Sequence, residues 1–236
     1  MDDIIEKPQY VATATKSQTV SRRIFASGNR FALDICQYLE FTPAWEMPKI
    51  QAVDIESPKE MIAFYRNNES AADNVWRHFY TDDSRLMPFL TEPYRMVRNI
   101  MKFPAMTGID LSIKPEMPLI MQSAVSFNNK LITAFWQHKG LTVVQNVVWA
   151  SPATYDICFD GYAKHAIVAV NSTGVGRDKR SGYLWDQGYE AMLEYLHPSL
   201  IIRYGAKRPN ERTDISIYFE NDNKKSARYG WQRKLQ

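Results

Sequence analysis

Asp54, Asp82, Asp83 and Asp110 each follow a short apolar run, where a strand should end. Carboxylates gathered at successive strand ends do one of two kinds of chemistry. They hold a divalent cation such as Mg²⁺ or Mn²⁺, or they divide into acid and base when burial drives their pKa values apart. Asp82, Asp83 and Asp110 are the catalytic candidates, with Asp82 and Asp110 as the metal pair. Aspartate after a strand also commonly caps the next helix, which is the competing reading of Asp82-Asp83-Ser84 and of Asp54.

The second chemical signal is the loop from Asn171 to Gly182, rich in small and cationic residues. Ser172, Thr173, Gly174 and Gly176 offer backbone N–H groups to an anion, and Arg177, Lys179 and Arg180 add charge. The spacing is neither that of a Walker loop nor that of a dinucleotide-binding fingerprint. A small phosphorylated ligand is the chemistry such a loop suits, with Asn171 and Tyr204 beside it at neighbouring strand ends; a solvated βα turn is the competing reading. Trp149 closes the most apolar run of the chain and offers a ring for stacking on a base or sugar.

The chain has 4 histidines, His78, His138, His165 and His197, in different elements and without ligand spacing. Beyond residue 222, Lys224, Lys225, Arg228, Arg233 and Lys234 alternate with Tyr229 and Trp231, a pattern suited to a nucleic-acid backbone and equally to a solvated tail. The total charge decides nothing, because 29 basic residues face 26 acidic ones for a net of +3. Cys36 and Cys158 form no motif, so a reduced, cytoplasmic setting is expected. No stretch approaches the roughly eighteen apolar residues of a membrane span, and the N-terminus lacks a signal-like pattern.

These residues need a scaffold that brings strand ends together, and the chain is patterned as repeated βα units. Strands are expected at Ile50–Asp54, Val75–Tyr80, Ala105–Ile113, Leu141–Trp149, Ala166–Val170, Leu200–Tyr204 and Ile215–Phe219. Ser57-Pro58-Lys59-Glu60 reads as a helix start leading to Asn67, Pro88–Met101 and Pro118–Gly140 as helices, Ser151-Pro152 as a short one, and Gly182–Leu196 as another. Alternating βα units make a parallel sheet, whose ligand edge is the carboxyl one. The expected fold is α/β and TIM-barrel-like, complete or lacking one unit; an open doubly wound parallel sheet is the alternative. Residues 1–45 read as an arm or cap, 46–222 as the α/β domain and 223–236 as a basic tail.

The stretch from Val53 to Gly205 resembles the domain-of-unknown-function family 4417. The resemblance rests on His78-Phe79-Tyr80-Thr81-Asp82-Asp83, Thr107-Gly108-Ile109-Asp110-Leu111-Ser112 and Met117-Pro118-Leu119. It continues in Lys139-Gly140-Leu141-Thr142-Val143-Val144 with Trp149, and in Cys158-Phe159-Asp160-Gly161. Val168 to Gly174 and Pro198 to Gly205 complete it. Gly108-Ile109 stands where the family pattern has proline before the aspartate. The resemblance implies an origin on a phage, plasmid or other mobile element, and it brings no activity with it. The expected function is binding of a phosphorylated small molecule or nucleotide at the carboxyl edge, with metal-assisted hydrolysis as its enzymatic form. The alternative is a non-catalytic nucleotide-sequestering or nucleic-acid-binding accessory protein.

Overall fold

The computed structural model describes residues 33–66, 73–175 and 179–221. Seven strands form one all-parallel sheet in chain order: β1 (Glu60–Ala63), β2 (Val75–His78), β3 (Ala105–Thr107), β4 (Val143–Asn146), β5 (Ile167–Asn171), β6 (Leu200–Tyr204) and β7 (Ser216–Phe219). The sheet curls into a nearly closed barrel with an open seam, and β1 and β7, the end strands, each have a single neighbour. Parallel neighbours need crossovers. Helices α2 (Asp83–Thr91), α3 (Pro93–Ile100), α4 (Leu119–His138), α5 (Tyr155–Phe159) and α6 (Lys179–Leu196) supply those from β2 to β6, a 3-10 turn (Thr213–Ile215) lies between β6 and β7, and α1 (Leu33–Cys36) precedes the barrel.

The alternation of side chains along the strands splits the apolar residues between two environments. Met61, Trp76, Ala105, Val144, Ala169, Ile202 and Tyr204 pack with one another inside the barrel. The outward residues Met106 and Val143 join Leu86, Phe89, Leu131, Phe135 and Trp136 beneath α2 to α4. Val168, Val170 and Ile201 likewise pack under α6 with Trp185, Tyr189 and Met192. Both faces are covered, which is why β4 to β6 read as nearly continuous apolar runs.

Two expectations at the N-terminal end are corrected. Ile50–Asp54 is no strand: the Ile50 N–H donates to the Gly161 carbonyl at 2.8 Å and the Gln51 N–H to Gln137 Oε1 at 2.8 Å, so the segment is strapped to loops and to α4. The segment after Ser57-Pro58 is strand β1 rather than a helix. Met61-Ile62-Ala63 is buried on both faces, and the Lys59 N–H donates to the Asn74 carbonyl at 3.0 Å at its entrance. Burial of that run outweighs the local capping signal, whose worth is only about 1 kcal/mol. The helix expected over Pro88–Met101 begins earlier, at Asp83, and breaks at Glu92. Pro93 starts α3, and Glu92 before it leaves helical geometry with φ −136° and ψ 55°.

Candidate functional site

The carboxyl edge carries a layer of inward polar and aromatic residues above the apolar interior. His78 ends β2, Thr107 ends β3, Asn146 ends β4, Asn171 ends β5 and Tyr204 ends β6. Tyr80 and Asp110 lie two and three residues beyond β2 and β3. Strand register makes this layer, since Asn146 pairs with Ala169, and Asn171 with Tyr204.

Asp110 is its centre. Asn146 Nδ2 donates to Asp110 Oδ1 at 2.8 Å and Asn171 Nδ2 to Oδ2 at 3.0 Å. Three consecutive strand ends therefore meet on one carboxylate. The backbone reaches this position because Gly108 lacks a side chain: a Cβ there would lie 2.7 Å from Thr133 Oγ1 and 3.2 Å from the Asn146 nitrogen. Asn129 of α4 then holds the turn, its Oδ1 accepting from the Leu111 N–H at 2.8 Å and its Nδ2 donating to the Leu111 carbonyl at 3.0 Å. Asp110 is half-buried. Burial pushes its carboxyl above the usual range, Asn171 and Asn146 pull it back, and the nearby Asp83 carboxylate pushes it further up.

Tyr80 completes the polar chain, its hydroxyl donating to Asn146 Oδ1 at 3.2 Å. Its ring lies over His78 at 5.1 Å and against Tyr204 at 4.8 Å, with His78 and Tyr204 at 4.3 Å. His78 and Tyr204 are buried and Tyr80 is half-buried, so Tyr80 is the accessible end of an aromatic stack. Burial first, then the Asp110 charge, drive its phenol well above the usual range. The fully buried Thr107 hydroxyl lies near enough to hold that rise down, yet makes no hydrogen bond of ordinary geometry.

Asn171 also joins this cluster to the cationic loop, because its Oδ1 accepts the Thr173 N–H at 2.8 Å. Ser172 is turned into the structure, donating to the Ala206 carbonyl at 2.7 Å and accepting from Arg203 Nη2 at 3.2 Å. Arg203 is buried and pairs with Glu211, so it is committed to holding this loop base. Thr173 and Gly174 are exposed, Gly174 with φ 84°, and Lys179 and Arg180 are exposed at the start of α6. Gly176 and Arg177 lie outside the described residues, as do Lys224, Lys225, Arg228, Arg233 and Lys234.

The remaining candidates are placed elsewhere. Asp82 is exposed at the helix start without a side-chain capping bond. Asp83 Oδ1 accepts from the Ser112 N–H at 3.1 Å and its hydroxyl at 3.0 Å, tying the start of α2 to the loop after β3. Trp149 is enclosed between Phe159 and Trp185, with α6 passing over it at Gly188. Packing therefore takes its ring, and Tyr80 holds the accessible aromatic place. Among the described residues, no three His, Cys, Asp or Glu side chains gather as a metal ion would require. Tyr80 lies in a motif quoted from the sequence but was given no role there, Asn129 belongs to no motif, and nothing in the sequence shows that Asn146 grips Asp110. A cavity of about 500 Å³ lies at the opposite, amino rim, lined by Tyr38, Gln51, Asp54 and His138, away from this cluster.

A family model described as domain of unknown function (DUF4417) matches residues 39–222. The "Gene 1 protein" of Mycobacterium phage L5 is 28% identical over 186 residues, covering 78% of this chain and 81% of that protein. The "Gene 1 protein" of Mycobacterium phage D29 is 30% identical over 131 residues, covering 56% of this chain and 48% of that protein. No solved structure matches.

Proposed function

The chain belongs to the DUF4417 family, whose curated relatives here are phage proteins, and with no activity to take from that family we propose that it binds a phosphorylated small molecule, a nucleotide by best fit, at the barrel's carboxyl edge. The observation that carries this reading is the double role of Asn171, which grips Asp110 with one end and the Thr173 N–H with the other. The carboxylate and the cationic loop thus form one unit. A ligand with a polar head and an anionic tail fits it, the head against Asp110 and Tyr80, the tail at the loop and the first turn of α6 beside Lys179 and Arg180.

A half-buried carboxylate held by two neutral amides is poor economy for stability alone, since an alanine or valine at the same place would bury surface without stranding charge. Such groups concentrate at functional sites. Asp110 is also the group at the mouth whose raised pKa suits it to exchange a proton, so turnover of a bound ligand would run through it. Without turnover, the same contacts describe a binder that withholds a nucleotide.

The test is thermal unfolding with nucleoside mono-, di- and triphosphates, because a ligand bound only by the folded state raises Tm. At least one nucleotide should raise it, and the rise should fall away in the Lys179→Ala/Arg180→Ala double variant and in Asp110→Ala. If no nucleotide shifts the wild-type Tm, the reading fails. Product analysis of the same mixtures separates an enzyme from a binder.

A further inference from the structure

Resting on that reading, we infer that the site selects its ligand through a pair of adjacent hydrogen-bond donors laid on the Asp110 carboxylate. An ionised carboxylate offers about four acceptor positions on two oxygens. Asn146 occupies one on Oδ1 and Asn171 one on Oδ2. Because each oxygen is gripped once, by a different strand, the carboxylate is held in place and, among the described residues, a second acceptor position is left on each oxygen.

Among the described residues Asp110 takes part in no ion pair, and both of its grips are neutral amides. A ligand that places two parallel N–H or O–H groups on it supplies the missing stabilisation, and a two-point contact is more demanding in geometry than a single bond. Two further features on the same edge favour a planar or sugar-bearing ligand. Tyr80 presents the accessible end of the His78–Tyr204 stack. Thr107 supplies a buried hydroxyl beside the Tyr80 phenol.

Within nucleotides, two groups present such a donor pair: the amino and imino N–H groups of a guanine edge, and the 2′,3′-diol of ribose. The test is calorimetric titration of the wild-type chain with GMP, IMP, AMP and 2′,3′-dideoxy-GMP. If the base edge lies on Asp110, GMP binds at least ten-fold more tightly than IMP and AMP, and the dideoxy compound matches GMP. If the diol lies there, GMP, IMP and AMP bind alike and the dideoxy compound loses ten-fold or more. In either case Asp110→Asn, which turns one acceptor into a donor, removes the discrimination. Equal affinity for all four ligands, or discrimination that survives Asp110→Asn, overturns the inference while leaving nucleotide binding in place. Absence of any binding overturns both.

Discussion

At Asp110, competing effects on one carboxyl make the pH dependence of binding informative. Burial raises its pKa more than the two amides lower it, so the ionised form becomes dominant at a higher pH than for an ordinary aspartate. A ligand that donates to the carboxylate binds the ionised form. Affinity should therefore rise as pH rises through the elevated pKa and level off above it, with Asp83, Tyr80 and Tyr162 among the described residues as the other titratable groups that sense the carboxyl. Calorimetry at several pH values checks this. In Asp110→Asn the dependence should vanish while Tm stays within a few degrees of wild type, because the lost charge burial offsets the lost acceptor. Lys130 is a contrasting case, a buried cation remote from any ligand role. It donates from Nζ to Ser126 Oγ at 2.7 Å and to the Cys158 carbonyl at 2.8 Å, and burial pulls its pKa down to about 8. The unfolded chain then binds more protons than the folded one between that value and the ordinary lysine range, so this group adds stability as pH rises. Denaturant unfolding at pH 9.5 against pH 7.5 should show about 2 kcal/mol more stability from this residue, given 1.36 kcal/mol per pKa unit, and Lys130→Met should abolish the gain.

Among the elements, those buried on both faces were the most legible. Leu200–Tyr204 was bounded as observed, and Val143–Asn146 and Ile167–Asn171 fell within or beside the expected runs, because apolar β-branched sequence suits a covered parallel strand whatever its neighbours. The first strand was not legible: Ser57-Pro58-Lys59-Glu60 has the chemistry of a helix cap, and only the barrel that surrounds Met61 to Ala63 shows why the chain extends there. Trp149 was misplaced for a related reason. Its position at a strand end was visible, but the helix that covers it comes from residues about forty positions later. That cover gives a test. A Cβ at Gly188 would lie 2.0 Å from Trp149 Cδ1, so Gly188→Ala forces the indole or α6 to move. The contact outweighs the gain of up to ~1 kcal/mol in helix propensity, and the net loss should be about 1–3 kcal/mol by denaturant unfolding. A stabilised Gly188→Ala variant would show that α6 does not lie on Trp149.

Over the whole molecule, the barrel supplies what the sequence could only suggest, the meeting of distant strand ends around one carboxylate. The repeated units announced a parallel sheet, and the parallel sheet announced its carboxyl edge. Which residues meet there depends on register, since Asn146 and Asn171 reach Asp110 from 36 and 61 residues away. The start of the loop read from glycine and charge is tied to Asp110 through Asn171, whose two amide ends meet Asp110 and the Thr173 N–H. The amino-rim cavity at Tyr38 and His138 had no sequence signal and offers a rival location for any ligand. Hydrogen exchange with and without a saturating nucleotide distinguishes the two ends of the barrel. Slowed exchange should appear at Thr107–Ser112, Asn146–Val147 and Asn171–Val175, with the amides of Gln51–Asp54 and Lys139–Thr142 unchanged. Protection confined to the amino-rim segments, or none at Asn171–Val175, would contradict a ligand site built around Asp110.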